Sequence, residues 1–454
     1  MPVWAQELLA IVVLLAVVAT LISRLPKVDL GHSDAFRTRR FWNWFPLGIT
    51  YAFLYMGRYN LSVFKTEFPD VINKAEFAEI FGWGALVYGV SFLLNGPLAD
   101  RLGGRATILT SALGSALANI AMGLVLQYRL TDDLTTTFTW LYGVNMYFQS
   151  FGAVSIVKVN ASWFHVRERG TFGGIFGILI SLGLYVAFDW GSMIARAFGS
   201  GAVFYVPAAI LLGFFALDFV LVRDRPSETG HADFGTGDAS HGNASLMEVV
   251  RRMLTSRIIL TIAAVEFCSG FLRNVVMQWG KDYGNATGVG ETVIYSHWGL
   301  FMCLAGITGG MFAGLISDHL FSSRRGPVAT VLYGGLVAGA IAIWAAIGTP
   351  AVGWLLIGMS ICFIGVHGML SATASMDFGG KKNAGLATGI IDGCVYAGTA
   401  LQSGLVGPLL PVGDAAKDPA SWTVWPVAML PAALVGLALA ATLWNARPKA
   451  GAAH

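Results

Sequence analysis

Runs of about 20 apolar residues recur along almost the whole chain, each long enough to cross the hydrocarbon core of a bilayer. A backbone in that medium must satisfy its own hydrogen bonds, so runs of this length fold as helices. They fall at 3–23, 41–64, 80–99, 105–127, 138–162, 170–190, 202–222, 257–279, 293–316, 327–347, 351–374, 384–408 and 423–445. With 55% apolar residues, 12% charged residues and 56 glycines in 454, the composition is too apolar for a soluble protein. It is also too glycine-rich for a simple helical core. The sequence thus predicts an all-α polytopic membrane protein with the lipid bilayer as its surroundings. The net charge of +3 says little by itself, because topology follows the placement of Lys and Arg. No nucleic-acid partner is expected. Cys268, Cys303, Cys362 and Cys394 are scattered through apolar runs without metal-ligand spacing and read as small core residues. No metal or other cofactor is expected. No nucleophile–base set points to an enzyme.

The run at 3–23 is preceded by no basic cluster and followed by Arg24, Lys27, Arg37, Arg39 and Arg40. That order fits an uncleaved anchor with its N-terminus outside. Further basic loops then alternate with poorer or acid-balanced ones. They carry Arg101 and Arg105, Arg167 and Arg169, Arg223 and Arg225, Arg251 and Arg252, Arg324 and Arg325, Lys381 and Lys382, and Arg447 and Lys449. The rule of positive residues inside makes that side, and the C-terminus, cytoplasmic. The expected divisions are an extra anchor with a basic linker (1–40), a six-helix half (41–222), a cytoplasmic linker (223–256), a second six-helix half (257–446) and a tail (447–454). The Gly/His/Asp/Ser-rich Thr229–Ser245 reads as flexible, and its His231 and His241 as solvated rather than metal-binding.

The halves repeat. Gly96-Pro-Leu-Ala-Asp100-Arg101-Leu-Gly-Gly-Arg105 is echoed by Gly314-Leu-Ile-Ser-Asp318-His319 and Arg324-Arg325, with Asp318 218 positions after Asp100. Glu168-Arg169-Gly170 is echoed more weakly by Lys382-Asn383-Ala-Gly385, with Gly385 215 positions after Gly170. The same shift of 215 carries Arg58, inside Tyr51-Ala-Phe-Leu-Tyr55-Met-Gly-Arg58-Tyr-Asn60, onto Arg273. An arginine at bilayer depth costs roughly 2.5 to 3.5 kcal/mol on insertion scales, so it should face a protein cavity and await an anion. Tyr51 and Tyr55 share its helix face. Two-fold repetition with function at the midplane is the plan of a secondary transporter.

With these pieces, the chain resembles the major facilitator superfamily. More narrowly it resembles the organophosphate:phosphate antiporters, which include glycerol-3-phosphate and hexose-6-phosphate transporters. The resemblance runs from about 38 to 410. It is carried by Tyr51-x3-Tyr55-x2-Arg58-x-Asn60, by Lys158-Val-Asn-Ala-Ser-Trp163-Phe with Arg167-Glu-Arg-Gly170, by Arg223-Asp-Arg-Pro-Ser-Glu-Thr-Gly230, by Ala305-Gly-Ile-x-Gly with Ser317-Asp318 and Arg325-Gly, and by Lys381-Lys382-x-Ala-Gly385. The extra N-terminal span lies outside the usual twelve-helix plan. The resemblance implies two six-helix halves related by a pseudo-two-fold axis. It also implies exchange of a phosphorylated metabolite for inorganic phosphate across the inner (cytoplasmic) membrane, by a monomer. Arg58 and Arg273 match the pair that grips the phosphate. Tyr51, Tyr55, Tyr88, Lys158 and Trp279 match further cavity positions. A helix-2 lysine of several members falls at Phe92, a helix-4 histidine at Ser162 and a helix-8 acid at Cys303. Asp392 stands where relatives carry a small residue.

A guanidinium fork binds phosphate in a bidentate manner and stays charged at any relevant pH, which suits Arg58 and Arg273 to this task. Glu266, seven residues before Arg273, reads as a proton site or an internal counter-ion. Asp392 reads as a partner for Arg273 in the empty cavity or for a substrate amine. Asp189 and Asp218 read as interfacial. Gating contacts are expected from Asp100, Arg101, Arg105, Arg169, Asp318, Arg324, Arg325, Asp377 and Lys381. Glycines at 173–177, 306–310 and 385–393 should let helices pack closely and slide. Two other functions stay open: a proton-coupled carrier of another organic anion, and a transporter-like sensor of sugar phosphate.

Overall fold

A computed structural model describes Thr20 and residues 30–165, 168–236, 251, 254–321 and 324–446. The side chains of 100, 169–174, 314–315, 318–319 and 372–388 lie outside that description. So do the expected first span, apart from Thr20, and the C-terminal tail from 447.

The first half contains α1 (Asp34–Glu67), α2 (Lys74–Leu102), α3 (Gly104–Tyr128), α4 (Leu134–Trp163), α5 (Arg169–Tyr185) and α6 (Ala202–Leu221). The second contains α7 (Arg257–Ala286), α8 (Trp298–Leu320), α9 (Arg325–Ala346), α10 (Ala351–His367), α11 (Ser375–Val406) and α12 (Val424–Thr442). A π turn at Val186–Trp190 carries α5 into a short helix, Gly191–Phe198, and a second π turn at Gly368–Ala374 joins α10 to α11. The starts obey local chemistry. Asn73 and Glu76 form a reciprocal capping box at α2, and Asp133 accepts the Thr136 N–H at the start of α4. The fold is all-α, with no strand among the described residues.

Among the described residues, eight helices are long and apolar enough to cross a membrane by length and composition. The expected spans on α1, α4, α8 and α11, again among the described residues, form as helices without meeting that standard. On α1 and α4 the reason is visible. Asn43, Thr50, Arg58, Asn60, Ser62 and Lys65 on α1, and Asn145, Gln149, Ser150 and Ser155 on α4, are buried against protein and lower the mean hydropathy.

Across the halves α2 packs on α11 and α5 on α8. Exchanging each helix for the one six places along maps the first contact onto the second, which is the pseudo-two-fold relation in physical form. Small residues set the approach: a Cβ on Gly89 would lie 3.0 Å from the Gly393 carbonyl. A Cβ on Gly306 would meet the Ser181 hydroxyl, and within the second half one on Gly270 would meet the Val395 carbonyl.

The halves are cross-tied at the Glu67 end of α1. Lys65 Nζ lies 2.7 Å from Asp282 with both side chains buried, and donates to the Gln278 carbonyl at 2.7 Å. The Lys65 ammonium also stands 4.3 Å over Phe77 and 4.2 Å over Trp279. Thr66 donates to Asp282 and Ser62 to Gln278. Lys281 donates to Ser192, 2.8 Å away, and Arg196 grips Glu67 with a bidentate fork. Asp189 is buried rather than interfacial: it accepts the N–H groups of Gly299 and Leu300 at 2.6 and 2.9 Å. It thus caps α8 from the opposite half. A pocket of about 310 Å³ at this end is lined by Asp189, Ser192, Met193, Arg196, Ala197, Lys281 and Ser296.

At the Asp34 end, the described hydrogen bonds and ion pairs stay within one half. Arg40 pairs with Glu168 at 3.0 Å. Arg223 is held through its backbone by Asn43 and Trp163. Residues 223–236 are accordingly docked, not flexible: Phe234 and His231 pack edge-on against Phe36. Residues 237–250, with His241, lie outside the described residues. Asp218 is buried and accepts from Thr50 at 2.7 Å, so it too is not interfacial.

Replacing Asp282 by Asn should leave a buried ammonium without its counter-ion, a loss of about 3–5 kcal/mol in comparable pairs. The melting temperature should fall, and a cysteine placed at Ser62 should react faster with an impermeant thiol reagent applied from that end. Unchanged melting and reactivity would show that this pair does not close the end.

Candidate functional site

Arg58 lies nine residues before the end of α1, roughly 14 Å along its axis. It is 1% exposed. Nη1 donates to the Tyr396 hydroxyl at 3.0 Å, and Nη2 to the Tyr88 hydroxyl at 2.9 Å and to Gln149 Oε1 at 3.3 Å. The guanidinium sits 4.7 Å over the Tyr55 ring and 4.5 Å over Tyr88, where the ring quadrupoles attract it. Its Nε has no partner, and no carboxylate pairs with it among the described residues.

Neutral groups fix this arginine in place. Its carbonyl accepts from Tyr142 at 2.8 Å. Gln149 donates to the Leu54 carbonyl and Asn145 to that of Gly57, each at 2.9 Å. Asn60 and Asn145 both bond Asn119. This amide ladder from α1 through α3 and α4 stiffens the turn that carries the charge.

Arg273 reaches the same spot from α7. It is half-buried, its guanidinium lies 5.8 Å from the Tyr396 ring, and its Nε has no partner. Tyr396 on α11 is therefore the meeting point: Arg58 uses its hydroxyl and Arg273 faces its ring. Tyr88 leans against it, tilted, with ring centres 4.2 Å apart, and Phe92 stacks on it to continue that aromatic wall.

Among the residues singled out from sequence, the structure brings Arg58, Arg273, Tyr55 and Tyr88 together, with Tyr51 edge-on to Tyr55 at 5.7 Å. Trp279 does not join them; it is buried with Lys65 and Phe77 in the cross-tied end. Six residues after Arg273 is about 240° further round the helix, which turns it away. Lys158 is half-buried near the end of α4, nine residues and roughly 14 Å beyond Gln149.

Glu266 is fully buried, with one oxygen 2.9 Å from His367 Nδ1 and the other unpartnered. It thus shares a hydrogen bond with that imidazole across α7 and α10. Asp392 accepts from the Ser371 hydroxyl and forms no ion pair with Arg273.

The gating positions divide. Arg105 bonds the Phe219 carbonyl through Nη2 and Asp224 through its backbone N–H, latching the loop between α2 and α3 to the end of α6. Gly103, at φ 86°, makes room for that carboxylate, since a Cβ there would lie 2.6 Å from Asp224 Oδ2. Arg101 is exposed. Arg324 donates to the Phe321 carbonyl and Arg325 to Ser317. The side chains of Asp100, Arg169, Asp318, Asp377 and Lys381 lie outside the described residues.

Tyr396, Gln149, Tyr142, His367 and the Lys65–Asp282 pair escaped the sequence reading. One signal was present for Tyr396: it follows Asp392 by four residues, on the same face of α11.

Cross-packed helix pairs and a charged midplane meeting point define a multi-pass membrane carrier. A model of the major facilitator superfamily matches residues 47–403, and the chain belongs to that family. It is a transporter-type membrane protein and not an enzyme. The chain is 25% identical over 450 residues to the glycerol-3-phosphate transporter of Bacillus subtilis, covering 93% of this chain and 96% of that one. It is 25% identical to a probable hexose phosphate transport protein of Chlamydia muridarum, over 93% and 94% of the two chains. It is 24% identical to the membrane sensor protein UhpC of Escherichia coli, over 77% and 81%. These relatives fit the organophosphate:phosphate antiporter family. Among solved structures, the nucleoside transporter NupG superposes with a TM-score of 0.62 at 14% identity, over 88% of this chain and 98% of that one. A bacterial homologue of the human lysosomal transporter Spinster gives 0.66 at 11%, over 92% and 99%. Both likenesses are of fold alone.

Replacing Tyr396 by Phe removes the acceptor of Arg58 Nη1 and leaves the stacking surface. A buried charged donor without its acceptor costs about 1–3 kcal/mol, so the ligand-free variant should melt at least a few degrees lower. An unchanged melting curve would mean that this hydrogen bond contributes nothing to the empty state.

Proposed function

We propose that the chain is a secondary active antiporter of the inner (cytoplasmic) membrane, exchanging a phosphorylated metabolite for inorganic phosphate by alternating access. The observation that carries this reading is the pair Arg58 and Arg273. One comes from each half, both meet at Tyr396, and no carboxylate neutralises either among the described residues. Their equivalent positions in the repeat support it, as do relatives described as glycerol-phosphate and hexose-phosphate transporters.

An incoming phosphate takes the guanidinium donors now given to phenol hydroxyls. Its two charges relieve the repulsion between the arginines and draw α1 and α7 together. The empty cavity, doubly positive at its centre, closes poorly without an anion, and this favours exchange over one-way flux. With the basic loops cytoplasmic, the conformer cross-tied through Lys65 and Asp282 is closed outside and loads from the cytoplasm. Both arginines must let go for release, and the amide ladder keeps Arg58 aimed throughout.

Proteoliposomes loaded with phosphate should take up labelled phosphate. Arg58→Lys or Arg273→Lys should weaken phosphate binding about 10- to 100-fold, because a point charge replaces the bidentate fork. No flux with both arginines intact would sink the antiport reading. Phosphate-ester binding without flux would move the chain to the sensing role suggested by its likeness to UhpC.

A further inference from the structure

The anion grip uses no acid, yet two acids sit beside it. Asp392 precedes Tyr396 by one turn of α11, about 6 Å along the axis. Its charged neighbours are His367, Glu266 and Arg273, and the Ser371 hydroxyl donates to it. No lysine or arginine pairs with it among the described residues. Glu266, on α7, spends one oxygen on His367; the other is fully buried without a partner. A carboxylate at this depth needs a compensating cation.

In the empty protein the cations nearest Asp392 are Arg273 and His367, and His367 is already taken by Glu266 at 2.9 Å. A bound phosphomonoester dianion would take Arg273 away, because the arginines then neutralise the phosphoryl group. Asp392 would be left as an uncompensated carboxylate next to a dianion. We infer that the substrate brings its own cation: Asp392, with Ser371 and the free oxygen of Glu266, forms an ammonium subsite. The preferred substrates are then short aminoalkyl phosphates, with amine and phosphoryl groups about one helical turn apart. This rests on the reading that Arg58 and Arg273 hold the phosphoryl group. An alkyl ammonium stays protonated at neutral pH and makes charge-assisted hydrogen bonds to carboxylate oxygens.

The test uses the full chain in phosphate-loaded proteoliposomes. Uptake of labelled phosphate is competed by 2-aminoethyl phosphate or by 2-hydroxyethyl phosphate, which differ only in the cationic group. The amine should compete at a concentration about tenfold lower, Asp392→Asn should bring the two esters within about twofold, and Asp392→Glu should retain the preference. Equal competition in the unaltered protein, or a preference that survives Asp392→Asn, overturns the inference. So does phosphate exchange with proton uptake that vanishes in Asp392→Asn, since a proton would then be the compensating cation. Thermal stabilisation of the purified protein by the same two esters reads the preference independently of flux. Loss of all response to phosphate would instead fail the arginine reading.

Discussion

A guanidinium buried at the centre of a bilayer protein, with no carboxylate paired to it among the described residues, sets the terms for everything around it. Three neutral acceptors and two aromatic faces hold Arg58, supplied by four residues on four helices, with Tyr88 giving both its hydroxyl and its ring. Such a site keeps the charge folded into the protein without cancelling it. A carboxylate partner would hold the arginine more tightly but would compete with any anion. Phenol and amide oxygens yield more readily, because a charged acceptor outbids a neutral one.

The rest of the architecture supports that arrangement unequally at its two ends. At the Glu67 end, ammonium, carboxylate and ring faces from both halves interlock. At the Asp34 end, the hydrogen bonds and ion pairs seen among the described residues stay within each half. The docked segment 223–236 belongs to that second pattern: it finishes the first half by way of Asn43, Trp163, Arg105 and Phe36. One end can therefore open while each six-helix bundle stays intact.

Much of this was legible in the sequence, for physical reasons. Arg58 and Arg273 stand out because charge inside an apolar run is costly, and the repeat offset pairs them. Helices α1 and α4 were legible as spans despite their polar faces. Asp189 and Asp218 were misread because their runs end near them. Asp189 in fact lies in a π turn through which the helix continues, and Asp218 faces Thr50. Trp279, named through the family resemblance, instead packs on Lys65 and Phe77 at the cross-tied end, a placement that position alone does not give. Tyr396 was invisible as a single aromatic in an apolar run; only its partner from another half, 338 positions away, reveals its role.

Tyr396 belongs to one bundle and Arg58 to the other, so the empty protein already carries a stitch across its own centre. An anion must cut that stitch before it can make its own. The free energy of occupancy is then a difference between two bonded states rather than the full strength of the new contacts. A carrier built this way recognises its cargo firmly but holds it lightly, and release becomes the recovery of a tie that the protein had to begin with.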